Sequence, residues 1–282
     1  MTTIAWSNRG GPQGSWGHPA ELALPADARG LLLAEGLFET VLVLNGRPQW
    51  LAPHLQRWCE GAQLLGLAPP PGLERVQALL QEAIERSGIG TGALRLNWCR
   101  GSSGRGLQPP PPAQDEGERY LFWLQLQATT PGFDPVRVII SPSEERSASS
   151  ILSRCKSFGY GSALLARRQA LLAGADDALL RSSSGELCCG TSANLLVRRG
   201  NRWLTPPRAS GCLGGIMRQR SLELDLAVEA PLNSTDLERS AGALLLNSLS
   251  CRPIAALGPL NLPLAQAEPF WRQLLERGAA SS

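Results

Sequence analysis

A mixed α/β fold in two domains is what this sequence predicts, and three observations carry that expectation. The 282 residues are enough to bury roughly three quarters of the surface of an unfolded chain without a metal or a disulfide. Strand-like runs alternate with helical periodicities along most of the length. Between two strand-like runs, at 129–135, the segment TTPGFDP concentrates turn formers and marks a linker. It separates a small N-terminal α/β domain at 1–128 from a larger C-terminal domain at 136–282, and a ligand site between the two is the default expectation.

The elements follow in order. Residues 38–44 are strand-like, Asn45-Gly46 makes a hairpin turn, and 48–51 resumes on the other side. A helix should follow at 53–65, where Leu55, Trp58, Cys59, Ala62 and Leu65 recur at helical spacing, and 73–86 reads as a second amphipathic helix. Strands are expected at 93–99 and 120–127, separated by a loop that contains the four prolines Pro109, Pro110, Pro111 and Pro112. Beyond the linker come a strand at 136–140, a helix at 162–173, and short strands at 178–181, 193–197 and 202–204. A helix starts near Gly215, a strand lies at 243–246, and a last helix occupies 264–277.

One residue stands out from the composition. Of 27 lysines and arginines only Lys156 is a lysine. Arginine replaces lysine wherever charge or a solvated stem is enough, but a guanidinium keeps its proton and cannot condense with a carbonyl. A position that keeps an amine in such a chain points to amine chemistry, with an accident of composition as the alternative.

Composition also excludes. The net charge of +3 is small and the arginines are scattered, so no phosphate-tracking surface for nucleic acid is expected. The seven cysteines contain no CxxC pair and read as small buried hydrophobes rather than as a disulfide framework or a zinc site. With His18 and His54 as the two histidines, metal centres and histidine triads are poorly supplied. No P-loop or GxGxxG turn is present. No apolar run approaches the ~20 residues of a membrane span, and the N-terminus lacks the order of a signal peptide, so a cytoplasmic protein is expected.

The segment SRCKSFGYGSALLARRQALLAGADDALL, followed by GELCCGTSANLLV, WLTPP and GCLGGIMRQ, resembles the fold-type IV pyridoxal-phosphate enzymes. That group includes branched-chain and D-amino-acid aminotransferases and aminodeoxychorismate lyase. EGLFET, HLQRWCEGAQLLGL and LRLNWCRGSSGRG match the family's N-terminal blocks in the same order, so the resemblance runs over about 28–253. Within the group, the run at 100–106, GGIMRQ at 214–219 and NSL at 247–249 are most similar to aminodeoxychorismate lyase, and the Arg-x-His of D-amino-acid transaminases is replaced by Arg100-Gly101-Ser102.

The resemblance implies pyridoxal 5'-phosphate as cofactor and a role for each matching residue. Lys156 would carry the cofactor on its amine and move protons, with a solvated surface lysine as the other reading. Arg57 would grip the phosphate, as a fork of donors suits a dianion, or else be a surface charge. Gly215, Ile216 and Met217 look like the backbone cup at a helix start, where unpaired N–H groups meet a phosphate, and Ser248 would add a hydroxyl. Tyr160 resembles the tyrosine that bonds the cofactor's phenolic oxygen, with a core aromatic as the alternative. Arg100 and Arg105 are the candidates for the substrate's two carboxylates, unless one of them braces its loop.

Cys189 departs from the family. A glutamate four residues after the turn glycine normally pairs with the pyridine nitrogen, and counting four from Gly185 lands on Cys189. Glu186 is three residues earlier, an odd offset that on a regular strand points to the opposite face. A thiol is a weak donor and should leave the nitrogen largely unprotonated, which penalises transamination more than an elimination driven by aromatisation. The leading expectation is therefore a lyase that converts aminodeoxychorismate to 4-aminobenzoate and pyruvate for folate synthesis. An amino-acid aminotransferase of the same fold and a pyridoxal-phosphate-binding protein without turnover are the alternatives. A small-molecule substrate and a homodimer are the partners implied, with no nucleic acid and no membrane.

Overall fold

Backbone pairing in the computed structural model, which describes residues 2–10, 13–102, 106–108 and 119–276, divides the chain into two units. The first comprises residues 1–130 together with Cys155–Gly159, and the second comprises Pro131–Arg154 and Tyr160–Ser282.

The first unit holds strands β1 (Thr3–Ser7), β2 (Ser15–Gly17), β3 (Gly36–Leu44), β4 (Arg47–Pro48), β5 (Gly92–Arg100) and β6 (Tyr120–Ala128). Its helices are α1 (Arg29–Leu32), α2 (Leu51–Leu64) and α3 (Leu73–Ser87). Among the described residues the strands form one sheet in the order β2-β1-β6-β5-β3-β4, with neighbouring strands antiparallel. The expected hairpin turn is present, with Asn45 and Gly46 at φ 50° and 76° and Leu44 opposite Arg47. Both expected helices form within two residues of their anticipated ends. Alternation along β3 sends Leu37, Val41 and Val43 into the core that Leu55, Trp58 and Ala62 of α2 close from the other side. Cys59, expected on that buried stripe, is exposed instead, one position round the helix from Trp58.

The segment at 155–159 belongs here because the first part of β3 has no other partner on its outer edge. Phe38 N–H donates to Lys156 O at 2.9 Å, Phe158 N–H donates to Gly36 O at 3.0 Å, and Leu37 and Ser157 form an antiparallel bridge. Lys156 is thereby placed by main-chain bonds, which do not depend on its side chain.

The second unit holds β7 (Val136–Arg146), β8 (Asp177–Ser182), β9 (Leu187–Gly190), β10 (Asn194–Arg199), β11 (Arg202–Thr205), β12 (Ala227–Glu229), β13 (Ala243–Leu246), β14 (Cys251–Leu257) and β15 (Leu260–Asn261). Helices α4 (Gly161–Leu172), α5 (Ile216–Glu223), α6 (Ser234–Glu238) and α7 (Ala267–Glu276) accompany them. The strand order is β12-β11-β10-β13-β14-β7-β8-β9, and β9 also pairs with β10, so six strands from β10 round to β9 close into a ring. Closure pairs the edge that β9 would otherwise present, through Cys189 and Asn194. The expected strands did not include β1, β2, β9, β12, β14 or β15: Pro253 inside β14 argues against a strand, yet Leu244 pairs with it, and β9 is too short to show a period. As anticipated, most cysteines are buried; all but Cys59 are.

Space at Gly36, where β3 begins, is already taken. A methyl group there would lie 2.4 Å from Cys99 Cβ and 2.5 Å from the Phe158 ring. Gly36→Ala should therefore destabilise the protein by about 1–3 kcal/mol, the range for overpacking, read as a lower denaturant midpoint at constant slope. An unchanged midpoint would mean that 155–159 can move off β3 at no cost.

Candidate functional site

In the first unit, the site candidates gather around one carboxylate. Glu39 has no exposed surface, because β3 alternation drops it into the same inward row as Leu37 and Val41. A carboxylate in that position must be paired. On α2, His54 and Arg57 stand three residues apart and so face it together. Arg57 Nε donates to Glu39 Oε1 at 2.7 Å and Arg57 Nη2 to Oε2 at 2.6 Å, while His54 Nδ1 meets Oε2 at 2.7 Å. Burial pushes the Glu39 carboxyl up, but the charge of Arg57 and the bonds from His54 and Arg57 outweigh it and hold the carboxyl at about 2. Being ionised, Glu39 can only accept, so His54 carries its proton on Nδ1. Burial also holds His54 below its ordinary value, helped by the positive charges of Arg57 and Lys156 and opposed by Glu39. His54 is thus a neutral donor. Lys156 lies at the same end of β3, with Nζ 4.3 Å from the centroid of the Phe38 ring, and Arg95 approaches that ring to 3.7 Å.

Arg100, expected at the substrate, is engaged locally. Its Nε donates to Glu35 Oε1 at 2.7 Å, its Nη2 donates to Gly66 O at 3.1 Å, and it lies 5.4 Å from the centre of the Tyr120 ring. Glu35 also pairs with Arg29, so one carboxylate joins two arginines. Arg105 lies outside the described residues.

In the second unit, the remaining candidates sit on turns. Tyr160 caps the start of α4, its carbonyl accepting from Leu164 N–H at 2.9 Å. Gly215 caps the start of α5, where the first N–H groups of a helix, here those of Ile216 and Met217, have no partner within it. A methyl at Gly215 would lie 2.0 Å from Asn194 Oδ1, and Asn194 Nδ2 donates to Leu213 O at 2.8 Å. Asn194 therefore shapes the cup, and only a glycine fits against it. Ser248 lies in a turn held by Asn247, whose Oδ1 accepts from Leu249 N–H at 2.9 Å and from Ser250 Oγ at 3.1 Å. Asp177 braces the turn after β9 by accepting from Thr191 Oγ1 at 2.6 Å and Arg167 Nη2 at 2.8 Å.

Cys189 pairs with Leu180 on β8 and with Asn194 on β10. The regular strand assumed in counting to Cys189 does not form. A register shift lets Leu180 face Cys189 while Arg181 faces Leu187, so Cys188 is an extra residue, a β-bulge. The bulge reverses the parity of the count: Leu187 packs into the core with Leu179, whereas Cys188 and Cys189 pack together with Leu180 and Cys212 on the other side. Ser182 N–H bonds Glu186 O at 2.7 Å, and Glu186 lies in the bend before β9, so strand alternation does not assign its face. Its carboxylate accepts from Ser210 Oγ at 2.8 Å, and that bond holds it below its ordinary value. Cys188 is pushed up by bonds to Cys189 and Cys212 together with burial, whereas its bond to Cys212, aided by Arg218 and opposed by burial, lowers Cys212 to about 7.

Sequence reasoning missed Glu39, His54, Asp177 and Asn194. For the first two a signal existed, since EGLFET and HLQR carry a carboxylate, a histidine and an arginine that a strand and a helix can bring together. For Asp177 and Asn194 none did, because their partners are the Thr191 hydroxyl, Arg167 and a main-chain carbonyl at Leu213, which no motif marks. Among the described residues, no group of three or more histidine, cysteine or acidic side chains is placed to hold a metal, and no helix is long and apolar enough to cross a membrane.

The family model for amino-transferase class IV matches residues 36–257, which takes in β3, α2, Lys156, β9, the α5 cup and β14. The chain belongs to the amino-transferase class IV family. The described architecture is that of the fold-type IV enzymes in this family. It is 26% identical to a crystal structure from Legionella pneumophila named "Putative 4-amino-4-deoxychorismate lyase", with a TM-score of 0.81 over 94% of this chain and 97% of the other. A Methanocaldococcus jannaschii protein named "Putative branched-chain-amino-acid aminotransferase" is 27% identical over 74% of this chain and 73% of its own length. The pyridoxal-phosphate-bound form of a hypothetical aminotransferase from Mycobacterium tuberculosis has the same fold, at a TM-score of 0.80 and 22% identity over 99% of each chain.

The buried cluster sets an acid limit on stability. His54 ordinarily titrates at 6.5 and is held lower in the fold, so the unfolded chain takes up its proton first and stability falls as pH drops below about 6.5. Glu39 ordinarily titrates at 4.5 and is held at about 2, so a further loss on the order of 3 kcal/mol accumulates between those values. Denaturant unfolding at stepped pH should show both phases, with the upper one absent in His54→Gln. A midpoint constant from pH 7 to 4 would contradict the buried pairing.

Proposed function

We propose that this protein is a pyridoxal-phosphate-dependent lyase that converts 4-amino-4-deoxychorismate to 4-aminobenzoate and pyruvate. The observation that carries the cofactor reading is the placement of Lys156 at the end of β3 where Glu39 fixes Arg57. Taken unit by unit, the residues present suit such a group. Arg57, the N–H groups of Ile216 and Met217 behind Gly215, and Ser248 would hold its phosphate, Tyr160 its phenolic oxygen and Lys156 its reactive carbon. The glycine-walled cup at α5 supports this fit, because any side chain there would fill it. Bound pyridoxal phosphate would supply an aldehyde carbon for amines and a ring that accepts electrons.

The protein's own groups do the rest. The Lys156 amine takes the proton from the amine-bearing ring carbon of the substrate. The carbon–oxygen bond to the enolpyruvyl group breaks with the electron pair leaving on oxygen, and the released enol becomes pyruvate. Because the six-membered ring becomes aromatic, the step is downhill without a strong electron sink. Arg100, steadied by Glu35, and Arg105 are assigned to the substrate's carboxylates.

Cys189 tips the choice between lyase and transaminase. It stands where the family resemblance places a carboxylate, and a thiol there donates weakly. Glu186, the carboxylate three residues earlier, is tied to Ser210. The second reading, an aminotransferase, is favoured by the Methanocaldococcus relative, and a binding protein without turnover is the third.

Purified protein incubated with enzymatically generated aminodeoxychorismate should release pyruvate and 4-aminobenzoate in equal amounts, and Lys156→Ala should release neither. Cys189→Glu should raise amino-group transfer from ordinary amino acids relative to elimination, while Cys189→Ser stays within about tenfold of wild type, below ~1.4 kcal/mol in barrier. Transfer without elimination in the wild type would favour the second reading.

A homodimer belongs to the same proposal. Leu164, Leu165, Leu171 and Leu172 recur along α4 and are each more than half exposed, an apolar stripe that a second copy would cover. Sedimentation at micromolar concentration should give about twice the 30.1 kDa of the chain, and an active monomer would refute it.

A further inference from the structure

We infer that Glu39 and His54 are positioning residues that aim the Arg57 guanidinium at a phosphate monoester; the inference rests on the cofactor reading above. A buried ion pair is a poor source of stability, since apolar residues of similar volume often do as well, so what it supplies is geometry. Here the geometry is tightly determined. Two parallel bonds, Nε to Oε1 at 2.7 Å and Nη2 to Oε2 at 2.6 Å, fix both the direction and the plane of the guanidinium, which a single contact cannot do. The carboxylate is itself pinned: β3 buries it completely, and His54 Nδ1 holds Oε2 from a second direction at 2.7 Å.

The fork's edge opposite Glu39 is turned away from the carboxylate. The Arg57 side chain keeps 13% of its surface exposed, against 1% for each of its two neighbours, so the cluster is closed everywhere but at the arginine. An ionised Glu39 also offsets the arginine's charge within the core, so a dianion meets an oriented set of donors and not an unscreened buried cation. His54 adds a donor without adding charge, because burial keeps it neutral.

The test compares binding of pyridoxal 5'-phosphate with that of pyridoxal, which lacks the phosphate, by equilibrium dialysis of the full-length apoprotein. The ratio of the two affinities reports the phosphate contact alone. A general loosening of the fold weakens both ligands and leaves the ratio where it was. Glu39→Asp keeps the charge but shortens the reach, and it should cut the wild-type preference for the phosphate form by about tenfold or more, the scale of one charge-assisted bond. His54→Gln should cut it less, and it decides the matter if Glu39→Asp does not fold. A preference retained within about twofold in the folded variants, while Arg57→Ala cuts it by about tenfold or more, would overturn the inference and leave the cofactor reading standing. Wild-type protein without a phosphate preference would overturn the cofactor reading and the inference with it, whereas Arg57→Ala with an undiminished preference would overturn the inference alone.

Discussion

A carboxylate without exposed surface cannot stay ionised in an apolar core unless donors surround it, and Glu39 is such a carboxylate. Meeting that requirement organises the first unit. α2 must approach β3 in the register that brings His54 and Arg57 to Glu39, and the same register packs Leu55, Trp58 and Ala62 against Leu37 and Val41. Removing one partner would strand a buried charge at a cost of several kcal/mol, so the polar cluster and the apolar core around it stand or fall together.

Lys156 depends on this frame at one remove. Its segment is stitched to the outer edge of β3 by main-chain bonds from Phe38 and to Gly36, next to the residue that anchors the cluster. An amine and an arginine distant in sequence are thus registered on the same strand.

In the second unit, irregularity performs the corresponding task. The bulge at Cys188 turns Cys188 and Cys189 to one side of the sheet. Asn194, directly opposite Cys189, reaches on to Leu213 and shapes the start of α5 around Gly215. The thiol position and the helix N-terminus are therefore coupled through one side chain, and the cup owes its form to a long-range amide as much as to its glycines.

Much of this was legible in the chain. Hydrophobic period marked α2, α3, β5, β6 and β13, the Asn45-Gly46 pair marked its hairpin, and the single lysine inside a family-like block marked Lys156. These signals are local, because a side chain's repeat with its near neighbours is written in the order of residues. β9 escaped since four residues carry no period, and its bulge escaped since a register exists only against a partner strand. The ionisation of Glu39, the tautomer of His54, the bracing of Arg100 by Glu35 and the bond of Glu186 to Ser210 were decided only by tertiary structure. Each depends on burial and on a partner far away in the sequence, whereas the residue types, their spacing and the lone amine belonged to the sequence by itself.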